Sequence, residues 1–364
     1  SGLFRGGVSV CDIGVGPTPL LYFSNFESDA LAGIMVTGSH NPSEYNGFKF
    51  IVDKQAFFGS KIRELFDISQ ELTDIEVKLD TADKNQDSFV GGYIDKILSD
   101  YFAESKKTVV WDCGNGAAGE VVEKLCGRLP GQHILLNEKI DGNFPAHHPD
   151  PTVIENLQQL ITAVKAKKAD LGVAFDGDGD RIGVVDSSGR VVWGDQILSI
   201  LSKDVLKRNP GAFVIADVKA SNVLFEEIKK NGGVPVMWKT GHSHIKQKMN
   251  ETKSPLAGEM SGHIFIADHY YGFDDAIYAA VRLIAYLDQN NLSLADAYDA
   301  LPKVYNTTEI RVQCDDDTKF KIVDELKKYF YDHNIKFNDV DGIRFDFDGG
   351  WGLVRASNTQ DVLV

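Results

Sequence analysis

Asp176-Gly-Asp178-Gly-Asp180-Arg181 sets three carboxylates at alternate positions with glycines between them. Glycine lets the backbone curl, so three hard oxygen ligands can converge on one cation, and Mg²⁺ or Ca²⁺ is the natural guest. An EF-hand opens on the same D-x-D-x-D spacing but needs Gly at its sixth position and Glu at its twelfth. Arg181 and Ser187 stand there instead, which disfavours a calcium sensor. Three ligands from one short turn leave coordination places for water or a phosphate oxygen, as Mg²⁺ prefers. A solvated acidic turn is the bland alternative, at the expense of repulsion that no cation relieves.

Three further turns carry chemistry. Thr37-Gly-Ser39-His40-Asn-Pro follows the apolar run AGIMV, and Lys49 stands ten residues after the serine. These are ordinary turn and cap residues before a proline, or else Ser39 is a nucleophile or phosphate carrier with His40 and Lys49 handling protons or charge. Glu259-Met-Ser261-Gly-His263 gathers a carboxylate, a hydroxyl and an imidazole suited to vicinal sugar hydroxyls, though a helix-capping loop explains it equally well. Arg355-Ala-Ser357-Asn358-Thr359 offers a guanidinium fork with hydroxyl and amide donors, which matches phosphate or a polar strand end. Lys219, in Asp217-Val-Lys219, and His242, in KTGHSH, add cations after apolar runs, where surface charge is the commoner role. His147-His148-Pro-Asp150 offers metal ligands, but the prolines around it favour an interdomain turn.

Gly114-Asn-Gly116-Ala-Ala-Gly119 is a literal G-x-G-x-x-G after the run TVVWDC, and Glu138 follows nineteen residues past Gly119. A nicotinamide-dependent dehydrogenase is therefore a rival reading. It accounts for none of the acidic triplet, the Ser39 turn or the RASNT turn.

The elements that must position these turns share one pattern: a short apolar run, then a polar turn containing glycine. AGIMV, TVVW, LGVAF, AFVIA and VPVMW do not alternate, which marks parallel strands covered on both faces. Thr152 and Glu155 predict a capping box for a helix carrying Ile154, Leu157, Leu160, Ile161 and Val164. The strand-helix-strand rhythm gives an α/β class, with ligands collecting beyond the carboxyl ends of the strands. Boundaries are expected near Lys84, Ser187-Ser188-Gly189 and Pro302, giving segments 1–84, 85–188, 189–302 and 303–364. The last alternates more and reads as a smaller α+β unit.

A chain of 364 residues implies several domains. Its four cysteines, Cys11, Cys113, Cys126 and Cys314, form no C-x-x-C pair, so no disulfide framework or zinc site is expected and a reducing cytoplasm fits. The net charge of −15 opposes nonspecific nucleic-acid binding, and no apolar run approaches a membrane span. The absence of an initiator Met and the stop inside the strand-like DVLV suggest that both ends lack a segment, part of the first and last domains.

Taken together, TGSHNP, DGDGDR, GEMSGH and RASNT, in that order, resemble the loops of the α-D-phosphohexomutase superfamily, in its phosphomannomutase/phosphoglucomutase branch. The resemblance spans essentially the whole chain. It implies three related mixed α/β domains plus a smaller α+β C-terminal domain around a central cleft. It also implies a cytoplasmic, monomeric phosphoprotein that interconverts the 1- and 6-phosphates of mannose or glucose through a hexose 1,6-bisphosphate. By the resemblance Ser39 carries the phosphoryl group, and Ser39, Asp176, Asp178 and Asp180 hold Mg²⁺. Arg181 and His40 steady the phosphate, while Lys49 is the general acid/base. Glu259, Ser261, His263, Lys219 and His242 grip the sugar, and Arg355, Ser357, Asn358 and Thr359 bind the phosphate that is not reacting. Gln360-Asp361 departs from the Thr-Pro or Glu-Pro pair common after that loop.

Overall fold

The computed structural model describes every residue except 1–2, 4–6, 43, 72–84, 87, 102–103, 308 and 358–359. The boundary expected near Lys84 falls outside the described residues. Thr108–Asp112 and Leu171–Phe175 are the central strands of a five-stranded sheet, ordered Val191–Val192, Ile182–Asp186, Leu171–Phe175, Thr108–Asp112, Gln132–Leu136. The last three are mutually parallel, Ile182–Asp186 returns antiparallel to them, and Val191–Val192 pairs antiparallel with Ile182–Asp186. Leu171–Phe175 is buried at every position, as a non-alternating run requires. Leu160 and Val164 of the helix Gln158–Lys167 cover one face at Val110 and Val185, while Trp111, Val173 and Val184 join the large core on the other.

A four-stranded sheet repeats this design. Its order is Val234–Trp238, Phe213–Asp217, Leu256–Gly258, Ile264–Ile266, and only the last strand is antiparallel to its neighbour. In each sheet a buried parallel strand ends in a tight polar turn and comes back antiparallel. The turn is Asp176–Arg181 in the first sheet and Glu259–His263 in the second.

Two sequence expectations are corrected. Ala32–Val36 is antiparallel to Phe48–Val52 in a three-stranded sheet, and Ile34 and Val36 on one face are exposed. Five apolar residues in a row carry no period, so the run could not report that one face is bare. The capping box at Thr152 does not form either: Asp150 Oδ1 accepts from both the Thr152 amide (3.0 Å) and its hydroxyl (2.7 Å). Ile154–Leu157 is a 3₁₀ turn, and the α-helix begins at Gln158. The upstream carboxylate is the better local acceptor. Ser187-Ser188-Gly189 is the turn joining Ile182–Asp186 to Val191–Val192, so this sheet runs on to Val192.

One hydrophobic core runs from Leu20 through Trp111 and Val184 to Leu283, joining the first three-quarters of the chain. The C-terminal unit has its own, built from Val323, Ile343 and Ala356. There the helix Asp316–Asp332, capped by the Asp315 carboxylate, packs beside the hairpin Ile343–Phe347/Gly350–Val354. Among the described residues no helix is long and apolar enough to cross a membrane.

Candidate active site

Ser39 lies just past Ala32–Val36 with φ at +51°, in the left-handed region that L-residues occupy at a cost. Thr37 Oγ1 accepts from the Ser39 amide (2.8 Å) and stabilises that turn. Ser39 Oγ donates to Asp176 Oδ2 (2.9 Å) and lies 3.1 Å from His40 Nδ1. Gly177 makes the approach possible, because a Cβ on it would stand 2.0 Å from the Ser39 carbonyl oxygen.

Asp176, Asp178 and Asp180 are all buried, and one oxygen from each falls within 4.8 Å of the others. Asp176 Oδ1 accepts from the amides of Asp180 and Arg181, which curls the turn inward. Thr18 holds Asp178 twice, through its amide to the carbonyl (2.8 Å) and its hydroxyl to Oδ2 (2.7 Å). Lys49 Nζ reaches Asp178 Oδ2 at 2.6 Å and Asp180 Oδ2 at 2.5 Å. Burial opposes its charge, yet Asp178 and Asp180 outweigh burial and raise its pKa well above the usual value. The Lys49 ammonium and the Arg181 guanidinium against three carboxylates still leave negative charge in excess. Burial, then the charges of Asp180 and Asp178, accordingly push the Asp176 pKa well up. The outer oxygens Asp178 Oδ1 and Asp180 Oδ1 are buried without a hydrogen-bond partner. Hard anionic oxygens, close together and short of positive charge, fit a divalent cation.

The two polar turns are paired through their backbones. Ile182 N donates to the Gly262 carbonyl (3.0 Å), and Arg181 bridges His263. Arg181 Nε donates to His263 Nε2 (3.0 Å), and its Nη1 is 3.4 Å from His40 Nε2. Burial and the neighbouring Arg181 pull the His40 pKa down to about 4, so this imidazole is neutral near pH 7. His263 goes the other way: burial disfavours its charge, but Asp180 and Asp274 outweigh burial, and Nδ1 lies 3.2 Å from Asp274 Oδ2. His242 stacks on His263 with ring centres 5.5 Å apart. Beneath them Lys246 Nζ donates to Asp274 Oδ1 (2.8 Å), and its ammonium lies over the Tyr22 ring.

Glu259 Oε1 accepts from Gly241 N (2.5 Å), while Oε2 is buried with no hydrogen-bond partner. Ser261 sits half-buried in the same turn. Asp217 Oδ1 accepts from Met260 N (3.1 Å), and Oδ2 accepts from Thr240 Oγ1 (3.3 Å). Lys219 pairs with Glu309 at 3.1 Å. Arg355 pairs with Asp341, and Asp341 also accepts from Thr240 N. Ser357 Oγ accepts from Gln360 N, and Asn358 and Thr359 lie outside the described residues.

Contacts thus run unbroken from Ser39 through Asp176, Arg181, His263 and His242 to the Gly241 amide and Glu259. From the neighbouring Thr240 they continue through Asp341 to Arg355. Sequence reasoning missed Thr18, Lys246, Asp274 and Asp341, each of which has at least one partner from a distant part of the chain. The G-x-G-x-x-G loop serves packing: a Cβ on Gly116 would meet the Gly177 carbonyl at 2.7 Å, and one on Gly119 the Glu138 carbonyl at 1.8 Å. Backbone of the Asp176–Arg181 turn and of Glu138 packs directly against these glycines.

Comparison with known proteins agrees with this arrangement. Family profiles of phosphoglucomutase/phosphomannomutase match along the chain: α/β/α domain I at residues 1–75, domain II at 91–189, domain III at 193–305 and the C-terminal domain at 309–364. The chain is 45% identical over 363 residues to a phosphomannomutase/phosphoglucomutase of Pseudomonas syringae pv. tomato, covering 100% of this chain and 77% of that protein. It is 39% identical over 365 residues to a phosphoglucomutase of Neisseria gonorrhoeae, covering 100% of this chain and 79% of that protein. A crystal structure of a phosphoglucomutase/phosphomannomutase family protein from Burkholderia thailandensis superposes with a TM-score of 0.88 at 38% identity, covering 100% of this chain and 79% of that one. On the shared sequence and the shared fold, the chain belongs to the phosphoglucomutase/phosphomannomutase family.

Proposed function

We propose that this enzyme moves a phosphoryl group reversibly between the 1 and 6 positions of glucose or mannose phosphate, using Ser39 as the carrier. The observation that supports it most directly is the meeting of Ser39 Oγ with Asp176, in a pocket that also holds Lys49 and Arg181. Phosphoryl transfer needs little covalent help from a protein and depends on alignment and charge stabilisation. Such a pocket supplies both.

In this reading Ser39 Oγ and one oxygen from each of Asp176, Asp178 and Asp180 hold Mg²⁺, which when bound neutralises charge on the transferring group. The P–O bond of phosphoserine breaks as a sugar hydroxyl oxygen bonds to phosphorus; the departing Ser39 oxygen takes a proton from an ammonium, which the hydroxyl proton restores. Lys49, held charged beside Asp178 and Asp180, is the group we assign to that proton transfer. Arg181 steadies the phosphoryl oxygens, and the neutral His40 packs against them. Glu259, with its open Oε2, and Ser261 take sugar hydroxyls, with His263, His242 and Lys219 adding contacts. Arg355, Ser357, Asn358 and Thr359 hold the far phosphate. The resulting 1,6-bisphosphate turns end for end and returns its other phosphate to Ser39.

A coupled assay with glucose 1-phosphate and mannose 1-phosphate in Mg²⁺, paired with intact-mass analysis, tests this. Interconversion together with one added phosphoryl group mapped to Ser39 is expected. Turnover with the phosphoryl group elsewhere, or no interconversion at all, would overturn it.

A further inference from the structure

Thr240 and Arg355 belong to separate folding units yet donate to the same atom. Asp341 Oδ2 accepts from Thr240 N at 3.0 Å and from Arg355 Nε at 3.2 Å, with Arg355 Nη2 at 3.1 Å. Asp341 sits in a turn pressed against the strand end that carries Arg355. Gly342, with φ at +90°, allows this, since a Cβ there would lie 2.4 Å from the Val354 carbonyl oxygen. Three residues after Asp341, Arg344 docks through Nη1 on the carbonyls of Val218 (2.5 Å) and Ala220 (2.7 Å) and through Nη2 on Asn222 Oδ1. One short turn of the C-terminal unit therefore grips both loops of the four-stranded unit that carry Lys219 and His242.

We propose that Asp341 is a positioning residue for the phosphate grip, joining the Arg355 guanidinium to the Thr240 amide so that one carboxylate oxygen sets the two loops against each other. The inference rests on the mutase reading, in which Arg355 holds the phosphate that is not reacting. A guanidinium is planar, so engaging its Nε and Nη2 edge fixes the direction of the Nη1 corner. Arg355 is 6% exposed and the Asp341 side chain 13%, so the pair is sheltered from the solvent that weakens surface ion pairs. A grip ordered in advance spares the ligand the entropy of ordering it. A carboxylate beside a phosphate site could instead stand in the anion's place. The Thr240 bond argues against displacement, because a departing Asp341 would strip the partner from a backbone amide and from Arg355 together.

The test measures kcat and KM for glucose 1-phosphate, and binding of inorganic phosphate by calorimetry, in Asp341→Asn, Asp341→Glu, Arg355→Lys and the Asp341→Asn/Arg355→Lys double variant. Asp341→Asn is expected to raise KM and weaken phosphate binding about tenfold while kcat stays within about twofold, the mark of lost uniform binding. Asp341→Glu should recover part of this, with KM up about threefold. In the Arg355→Lys background the Asn change should add little, because Asp341 acts through Arg355. Additive effects, an unchanged KM or tighter phosphate binding in Asp341→Asn would each overturn the proposal, the last by showing that the carboxylate competes with the anion. If the Asn variant does not fold, Asp341→Glu decides alone: a rise confined to KM supports the inference, and an unchanged KM overturns it. A wild-type chain that binds phosphate but converts no hexose phosphate removes the mutase reading. Asp341→Asn must still weaken phosphate binding there for the positioning role to stand.

Discussion

Ser39 Oγ and Asp176 Oδ2 lie within hydrogen-bond distance at 2.9 Å, although 137 positions separate them in the chain. The contact joins the end of a strand in the three-stranded sheet to the turn of a different sheet. It brings the candidate phosphoryl carrier against the candidate metal ligands before any substrate arrives.

Replacing Ser39 tests the carrier directly. Ser39→Ala should lower turnover by roughly 10⁴-fold or more, since no other hydroxyl lies as close to Asp176 Oδ2 among the described contacts. The thermal transition should move little, because the hydroxyl is only half-buried. Steady-state rates alongside a melting curve separate the two effects, and a residual rate near wild type would remove Ser39 from its role.

Gly177→Ala should damage the site through geometry alone. The new Cβ would stand 2.0 Å from the Ser39 carbonyl, so one of the two turns must retreat. Overpacking of this kind costs roughly 1–3 kcal/mol. A displacement near 1 Å of the carrier is enough to cost about 10²-fold in rate. Kinetics and denaturant unfolding measured on the same preparation will show whether activity falls further than stability.

Thr18→Val removes the hydroxyl that orients Asp178 Oδ2 while keeping the side-chain shape. Loss of a group that orients a metal ligand typically weakens metal affinity about 10–100-fold. Titrating activity with Mg²⁺ should move the midpoint upward, with the rate at saturating Mg²⁺ largely recovered. An unmoved midpoint would show that Thr18 matters to the fold only.

Asp217 predicts a pH dependence of stability. Burial, and then the charge of Glu259, raise its pKa from the ordinary 3.8 to about 7. Below pH 4 it is protonated in both the folded and unfolded chain. Between about pH 4 and 7 the folded chain keeps a proton that the unfolded chain has lost, so stability falls as pH rises through that window. Asp217→Asn cannot ionise, and its melting temperature should therefore gain on wild type steadily from pH 4 to pH 7. Parallel curves for the two proteins would refute the assignment.

How much of this was readable in the sequence depended on whether the partners were neighbours. Asp176, Asp178 and Asp180 declared themselves because their spacing alone lets three oxygens converge. Glu259 and His263 stand within five residues too, yet a helix-capping loop explained them equally well until the four loops were taken together. The strands LGVAF and TVVW were legible because unbroken apolar runs match full burial, whereas AGIMV carried the same signal with one face bare. Thr18, Lys246, Asp274 and Asp341 gave no local sign. Each acts through a contact with a distant part of the chain, and such contacts exist only after the sheets have packed. The G-x-G-x-x-G loop misled for a related reason: its glycines answer to backbone packed against them, which a motif cannot tell from a cofactor.

The Ile182–Gly262 backbone bond ties the turn of the three aspartates to the turn of Glu259. Neither turn then shifts without carrying the other along. On the mutase reading, both half-reactions would then meet one and the same arrangement of walls.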